Sequence, residues 1–552
     1  MNHAGMIDLV PVALRREWAA LGYYPDQTVF QRFALQARQQ PEQPAVLTPT
    51  GVIRYGELLQ RALQLAAGLR ANGIVAGDVV AYQLPNHWHS CAIDLAAAAL
   101  GAVVAPFPPG RGRLDIASLL RRCDARAVVV APHGGEDDLC ELVESLRPGL
   151  LSLRLLLVDG PSRAGWQTLA QLFESPPLAD DALPVVDPDG PVRLLVSSGT
   201  EAEPKLVAYS HNALLGGRGR FLQRLQADGN EFRALYLVPL GSSFGSTATF
   251  GVLSWLGGSL ALLPAFDTPA AIRAIEQLRP SHILGVPTML QRMAADPLLA
   301  RVDKSSLVAL VSGGSVIDPT SIQRCREAFG CHFISLYGSA DGVNCHNTLA
   351  DAPDVVLRSV GRPNPGICDI RIVDDAGQVL PPGVTGEIVA RGPLSPMQYV
   401  NAPELDAQYR DAEGWVYTGD LGYLDAEGYL VINGRKKDVI IRGGSNISTV
   451  QIESLATSYR DVVGAACVPV PDADLGQRVC LTLAMREGSP RPALADVCAY
   501  LRESGLELNK LPEYLRFVRQ FPLTPAGKID KARLTREVAF AGNGRPQTAR
   551  AA

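Results

Sequence analysis

Apolar residues recur along the first third of the chain in two alternating rhythms. Over 58–70 and 90–100 they return with helical period, and at 79–83, 103–106 and 127–131 short runs of valine and alanine have the length and composition of buried strands. The alternation resumes later, with strands expected at 235–238, 260–263, 282–285, 307–312 and 332–336 and helices at 268–277 and 319–329. This predicts a layered α/β fold on a largely parallel sheet. From 361 to 433 short strand-like segments are separated by turn signals, DDAGQ, PPGVTGE and LDAEGYL, which predict a small antiparallel, β-barrel-like subdomain. The stretch 435–540 carries its own strand and helix pattern. We read it as a small mobile α+β C-terminal domain behind a large N-terminal domain at 1–434, with 541–552 as a disordered tail.

Length and charge narrow the function classes. A chain of 552 residues exceeds one compact core. With 51 basic against 56 acidic side chains the formal charge is -5, so no basic surplus drives nucleic-acid binding. The ten cysteines include no C-x-x-C pair, which excludes a zinc knuckle and fits a reducing cytoplasm. The opening MNHAGMIDLVPVALRREW lacks the basic-then-apolar order of an export signal, and the most apolar stretch, 94–107, is interrupted by Gly101 and Pro106. It is too short for a bilayer, so no membrane span is expected.

Three polar segments carry chemistry. VSSGTEAEPK (196–205) follows an apolar strand-like run, so Ser197, Ser198, Gly199 and Thr200 offer hydroxyls and backbone N–H groups to phosphate oxygens, and Lys205 adds a point charge. No G-K-[ST] follows the first glycine, which excludes a Walker loop. In VYTGDLGYL (416–424), Asp420 follows a turn, where the two oxygens of a carboxylate suit the two hydroxyls of a ribose. Lys528 lies in PLTPAGKID (522–530), about ninety residues beyond NGRKKDVIIRGGSN (433–446).

In this order and spacing, the motifs resemble those of the adenylate-forming superfamily of acyl-CoA synthetases, aryl-acid AMP ligases and nonribosomal adenylation domains, and the likeness covers about the whole chain. The resemblance implies an ATP- and Mg²⁺-dependent enzyme that converts a carboxylic acid to an acyl adenylate and passes the acyl group to a thiol. In SLYGSADG (335–342), it places Tyr337 and Gly338 on adenine, Ser339 at the acid pocket and Asp341 on magnesium; Gly313, Gly314 and Ser315 form the loop beside adenine and acyl group. Arg435 becomes a second ribose contact, Lys437 the hinge of the small domain, and Gly443 and Gly444 the path of the thiol. Lys528 becomes the catalytic lysine. Attack of a carboxylate on the α-phosphate brings two anions together, and an ammonium group delivered by a closing domain offsets their repulsion.

The chain departs from the family pattern at several points. Glu201, Ala202 and Leu206 stand where threonine, glycine and glycine are usual, Ala340 replaces a threonine, and Asp341 a glutamate. A carboxylate near a triphosphate is repulsive, so altered loop geometry and weaker ATP binding are expected. In PLGSSFGSTATFG (239–251), Ser242 takes the place of the family histidine, and Ser243 that of the asparagine or aspartate of hydroxybenzoate and amino-acid activators. Without that carboxylate a buried α-ammonium group has no partner, so a free amino acid is disfavoured. Phe244, Thr247 and Phe250 then suggest an apolar medium-chain, alicyclic or aromatic acid. The acceptor is coenzyme A or the phosphopantetheine arm of a free-standing carrier protein. Five of these departures, Glu201, Ala202, Leu206, Ser242 and Ala340, keep a second reading open, a catalytically weak nucleotide-binding relative in a biosynthetic assembly. A scaffold without nucleotide is a third, opposed by the retention of Asp420, Arg435 and Lys528.

Overall fold

The helix Trp88–Leu100 shows how this chain builds its interior. Eleven of its residues are buried, from Ser90 to Leu100, so it is apolar on every side because it lies inside the protein. Gly101, at φ +69°, ends it in the left-handed conformation that glycine adopts without strain. The next residues return at once into the buried strand Val103–Pro106. The apolar stretch 94–107 is thus a helix and a strand of the core, and among the described residues no helix is long and apolar enough to cross a membrane.

The computed structural model describes residues 5–540 except 110, 112, 133–137, 197–204, 228–230, 316, 437–438, 443–444, 473–474, 507 and 525–526. Two eight-stranded sheets form the large domain. One runs Asn344–His346, His332–Gly338, Ala309–Gly313, His282–Gly285, Arg233–Tyr236, Ser259–Leu262, Pro44–Thr48, Gly51–Arg54, parallel except at its two edges. The other runs Gln398–Tyr399, Leu206–Ser210, Pro191–Val196, Val103–Pro106, Val79–Gln83, Ala127–Val130, Leu155–Val158, Gln167–Thr168, with antiparallel pairing only through Leu206–Ser210. Helices Tyr55–Ala71 and Trp88–Leu100 share one core with residues of both sheets, among them Tyr82, Val104, Leu284 and Val311.

Most of the expected strands and helices are present, several with the same bounds, such as Val79–Gln83, His282–Gly285 and Pro319–Phe329. The segment expected to be barrel-like differs. It is an open antiparallel sheet of four strands, Asp369–Val373, Gly386–Arg391, Val416–Leu424 and Leu430–Arg435, and among the described residues it does not close. Its outer strand Leu430–Arg435 is covered instead by the helix Thr449–Thr457, and the Ser448 hydroxyl donates to the Asn433 carbonyl. That helix belongs to the C-terminal domain, a five-stranded sheet whose long central hairpin pairs Val462–Asp472 with Gly476–Met485. Sequence periodicity also missed two π-helical segments, Ala213–Arg218 and Ala248–Leu256. Such widened turns are uncommon and concentrate at functional sites.

Candidate active site

Two parallel strands end side by side at the mouth of the cleft. Ala309–Gly313 and His332–Gly338 are in register through Gly313 and Leu336, so the chain leaves the sheet at Gly314 on one strand and reaches Tyr337 on the other. Gly314 has φ +91°, a conformation that resists a side chain. The open sheet contributes Asp420 and Arg435, which face each other across adjacent strands. Their partnership follows from that register. Arg435 Nε donates to Asp420 Oδ1 at 2.8 Å and the Tyr337 hydroxyl donates to Oδ2 at 2.7 Å, so both carboxylate oxygens are held.

Lys528 reaches this group from the C-terminal domain. Its hairpin is closed by the Thr524 N–H on the Lys528 carbonyl at 2.7 Å and by the Lys528 N–H on the Thr524 hydroxyl at 3.2 Å, with Gly527 turning at φ +79°. The side chain runs along Gly314 so closely that a β-carbon there would sit 3.4 Å from Lys528 Cε. Burial pushes the Lys528 amine down to about 8, the neighbouring Arg435 adds to the shift, and Asp420 opposes it. Burial likewise raises Asp420, against the pull of Arg435 and the Tyr337 hydrogen bond, and raises Tyr337, where the Asp420 charge acts in the same direction. A cation, a carboxylate, a guanidinium and a phenol therefore meet where four segments distant in sequence converge.

A second polar group lies beside it. Asp341 accepts from the Tyr399 hydroxyl at 2.8 Å, and its N–H donates to the Ser339 hydroxyl at 3.1 Å. Lys205 Nζ stands 3.9 Å from the centre of the Tyr409 ring and 5.8 Å from that of Tyr399, a cation–π arrangement. Gly338 and Ser315 are exposed nearby in sequence. Ser197, Ser198, Gly199, Thr200, Lys437, Gly443 and Gly444 lie outside the described residues.

In the expected acid segment, by contrast, the hydroxyls of Ser242, Ser246 and Thr247 bond within the segment itself. Ser242 donates to the Pro239 carbonyl at 2.7 Å and accepts from the Gly245 N–H; Thr247 bonds the Phe244 carbonyl at 3.0 Å and the Tyr236 hydroxyl at 2.8 Å. Asn86 clamps the segment's start, donating to the Val238 carbonyl and accepting from the Leu240 N–H. Beneath it, Arg193 and Asp94 form an ion pair at 2.9 Å with side chains 1% and 2% exposed. Arg193 also donates to the Leu240 carbonyl, while Asp94 accepts from Thr249 and Tyr82. Arg218, at the end of the first π-helical segment, donates to the carbonyls of Ser243 and Ser339 and to the hydroxyls of Ser246 and Tyr209. It ties the acid segment to the loop that carries Asp341.

Sequence reasoning missed Arg218, Tyr399, Tyr409 and the Asp94–Arg193 pair. One signal was available for Arg218: Gly216 and Gly217 precede it within a helical stretch, and β-carbons there would fall 2.1 Å from the Tyr23 carbonyl oxygen and 2.4 Å from Leu394 Cα. Adjacent glycines mark a close approach of backbones.

The model of AMP-binding enzymes matches residues 33–400, and that of the AMP-binding enzyme C-terminal domain matches residues 451–528. The chain belongs to the AMP-binding enzyme family. This AMP-binding enzyme is 32% identical over 539 residues to the pyochelin synthase PchD of Pseudomonas aeruginosa, covering 96% of each chain. It is 32% identical over 541 residues, 95% of each chain, to the 2-hydroxy-7-methoxy-5-methyl-1-naphthoate–CoA ligase of Streptomyces carzinostaticus. Among solved structures it resembles the amide bond synthetase McbA of Marinactinospora thermotolerans, with 29% identity, a TM-score of 0.79, and coverage of 92% of this chain and 99% of the other.

Within this AMP-binding enzyme two of the sequence departures have a packing reason. Leu206 is 1% exposed; it pairs with Val196 and fills a core built around the second sheet of the large domain, with Val79, Val103 and Val128. Ala340 is also buried, and its carbonyl accepts from the Tyr209 hydroxyl at 2.7 Å. Glycine in place of Leu206 would leave a cavity in that core, and threonine in place of Ala340 would force a larger, polar side chain into a packed site. Glu201 and Ala202 lie outside the described residues.

Proposed function

We propose that this enzyme activates a carboxylic acid with ATP as an acyl adenylate and transfers the acyl group to a thiol, that of coenzyme A or of a carrier's phosphopantetheine arm. The observation that carries the reading is the placement of Lys528 against Gly314 beside Asp420 and Arg435, with the amine lowered only to about 8. At pH 7 it remains an ammonium ion. There it neutralises charge as the substrate carboxylate attacks the α-phosphate and pyrophosphate departs. In this reading Tyr337 and Gly338 pack on adenine with Gly313, Gly314 and Ser315; Asp420 and Arg435 hold the ribose; and Ser197, Ser198, Gly199, Thr200 and Lys205 hold the phosphates. The Asp341 carboxylate, fixed by one hydroxyl at Oδ1, fits a hard cation that prefers oxygen ligands, and magnesium bound there would offset pyrophosphate charge.

The acid is apolar and of aromatic, alicyclic or medium-chain type, not a free amino acid. Ser242, Ser243, Phe244, Thr247 and Ser339 border it, and from Ser242 to Phe250 there is no carboxylate to meet an α-ammonium group. The names of the two curated relatives, a pyochelin synthase and a naphthoate–CoA ligase, favour the aromatic end of that range. We place the division between domains at 434/435, with Lys437 as the swivel that presents Gly443 and Gly444 to the thiol, and the protein in the cytoplasm. Purified enzyme with ATP, magnesium and an acid panel should release pyrophosphate and, with hydroxylamine, form hydroxamate. Binding of ATP without pyrophosphate release for any acid would favour the catalytically weak relative instead. Repeating the active pair with coenzyme A and with a carrier separates the acceptors.

A further inference from the structure

Three metal-ligating side chains to which the proposed function gives no role converge. His87 caps the N-terminus of the helix Trp88–Leu100, His89 occupies its first turn, and Asp159 follows the strand Leu155–Val158. His89 Nδ1 and Asp159 Oδ2 are 2.8 Å apart, the His87 and His89 ring centres are 4.2 Å apart, and the candidate ligand atoms of all three residues lie within 4.8 Å of one another. We infer that His87, His89 and Asp159 form a binding site for a divalent transition-metal ion such as zinc or cobalt, distinct from the residues of the proposed nucleotide site.

The donor set decides the class of ion. Two imidazoles and one carboxylate suit zinc, cobalt, nickel or copper, whereas magnesium and calcium prefer oxygen alone. Zinc bonds run at about 2.0–2.2 Å, so tetrahedral ligand atoms sit about 3.4 Å apart, and binding must draw the three groups together from their present separations. The His89 and Asp159 side chains are 19% and 21% exposed, which leaves an entry path and room for water as a further ligand. Trp88 and Phe173 pack against the His89 ring at 4.1 and 5.4 Å between centres and restrict its motion. The competing account is an aromatic cluster fastened by one His–Asp hydrogen bond.

Untagged full-length protein, stripped with chelator, is titrated with Co²⁺ and Zn²⁺ and followed by calorimetry, visible absorption and thermal unfolding. One equivalent of either ion should bind, and Zn²⁺ should raise Tm, because a ligand bound by the folded state alone stabilises it. His89→Ala and Asp159→Ala should each raise the dissociation constant by at least the roughly tenfold that follows loss of even an outer-shell partner. His332→Ala, an exposed histidine elsewhere, should leave binding unchanged. His87 is avoided as a variant because its side chain also accepts from the His89 N–H as a helix cap. Absence of a saturable site, or binding that survives either substitution in a variant whose circular dichroism is native, overturns the inference.

Discussion

The proposed nucleotide site and the proposed acid segment of this enzyme satisfy their polar groups in opposite ways. In the cleft, Lys528, Arg435, Asp420 and Tyr337 are partners of one another, and every one of them bears charge or a phenol. Around the acid segment, Asn86, Arg193 and Arg218 reach chiefly backbone carbonyls and short hydroxyls, and the hydroxyls of Ser242 and Thr247 are consumed by their own loop. The first arrangement can be redirected toward a polyanion by modest side-chain movement. The second fixes a shape. Under the proposed function, recognition of ATP is electrostatic and depends on the segment that carries Lys528, while recognition of the acid is steric.

Breaking the steric side at its foundation should have the largest effect. Arg193→Met leaves Asp94 buried without its cation, and urea unfolding should show a loss of about 3–5 kcal/mol. Replacing both partners together, Asp94→Leu with Arg193→Met, should recover much of it. An equal loss in single and double variants would contradict the pairing. On the electrostatic side, Lys528→Ala should slow pyrophosphate release by about 10²- to 10³-fold, the scale for removing one donor aimed at developing charge. Its unfolding curve should show no loss of stability, since burial opposes the charged amine in the folded state and the catalytic contribution lies in the transition state.

A pH profile sharpens the contrast. The ammonium form of Lys528 is the active one, so kcat/KM for ATP should be level below about pH 8 and fall as pH rises through it. Asp420 supports that ammonium, and Asp420→Asn should move the falling limb to lower pH and raise KM for ATP by about tenfold. The smallest effect belongs to Arg218→Met, which loosens the tie between Ser243 and Ser339. We expect KM for the acid to rise several-fold, roughly 1 kcal/mol, with KM for ATP unchanged. If KM for ATP rose equally, Arg218 would belong to the cleft rather than to the pocket.

The same contrast explains what could be read before the structure. The α/β layering was legible because each buried strand is a run of valine, alanine or leucine and each helix repeats apolar positions, so only bounds shifted by a few residues. Lys528, Asp420, Arg435 and Tyr337 were legible because each sits in a compact segment with turn residues at fixed offsets. Arg193 and Asp94 are 99 residues apart, and Arg218 and Ser339 are 121 apart. Their partners include carbonyl groups, which every residue possesses and no sequence advertises. The two π-helical segments were missed for a related reason: one extra residue per turn blurs the period on which a helical reading depends. The open sheet was mistaken for a barrel because strand pattern alone does not say whether the outer edge meets its own first strand or another domain.

One consequence of the Asp420 triangle concerns which sugar the enzyme accepts. Arg435 and Tyr337 each take one lone pair of the two oxygens, so the carboxylate is held in one orientation while a second lone pair on each oxygen stays available to a ribose hydroxyl. In the proposed site a deoxynucleotide leaves one of those preoriented lone pairs unmet, so it should enter less readily than its ribose counterpart.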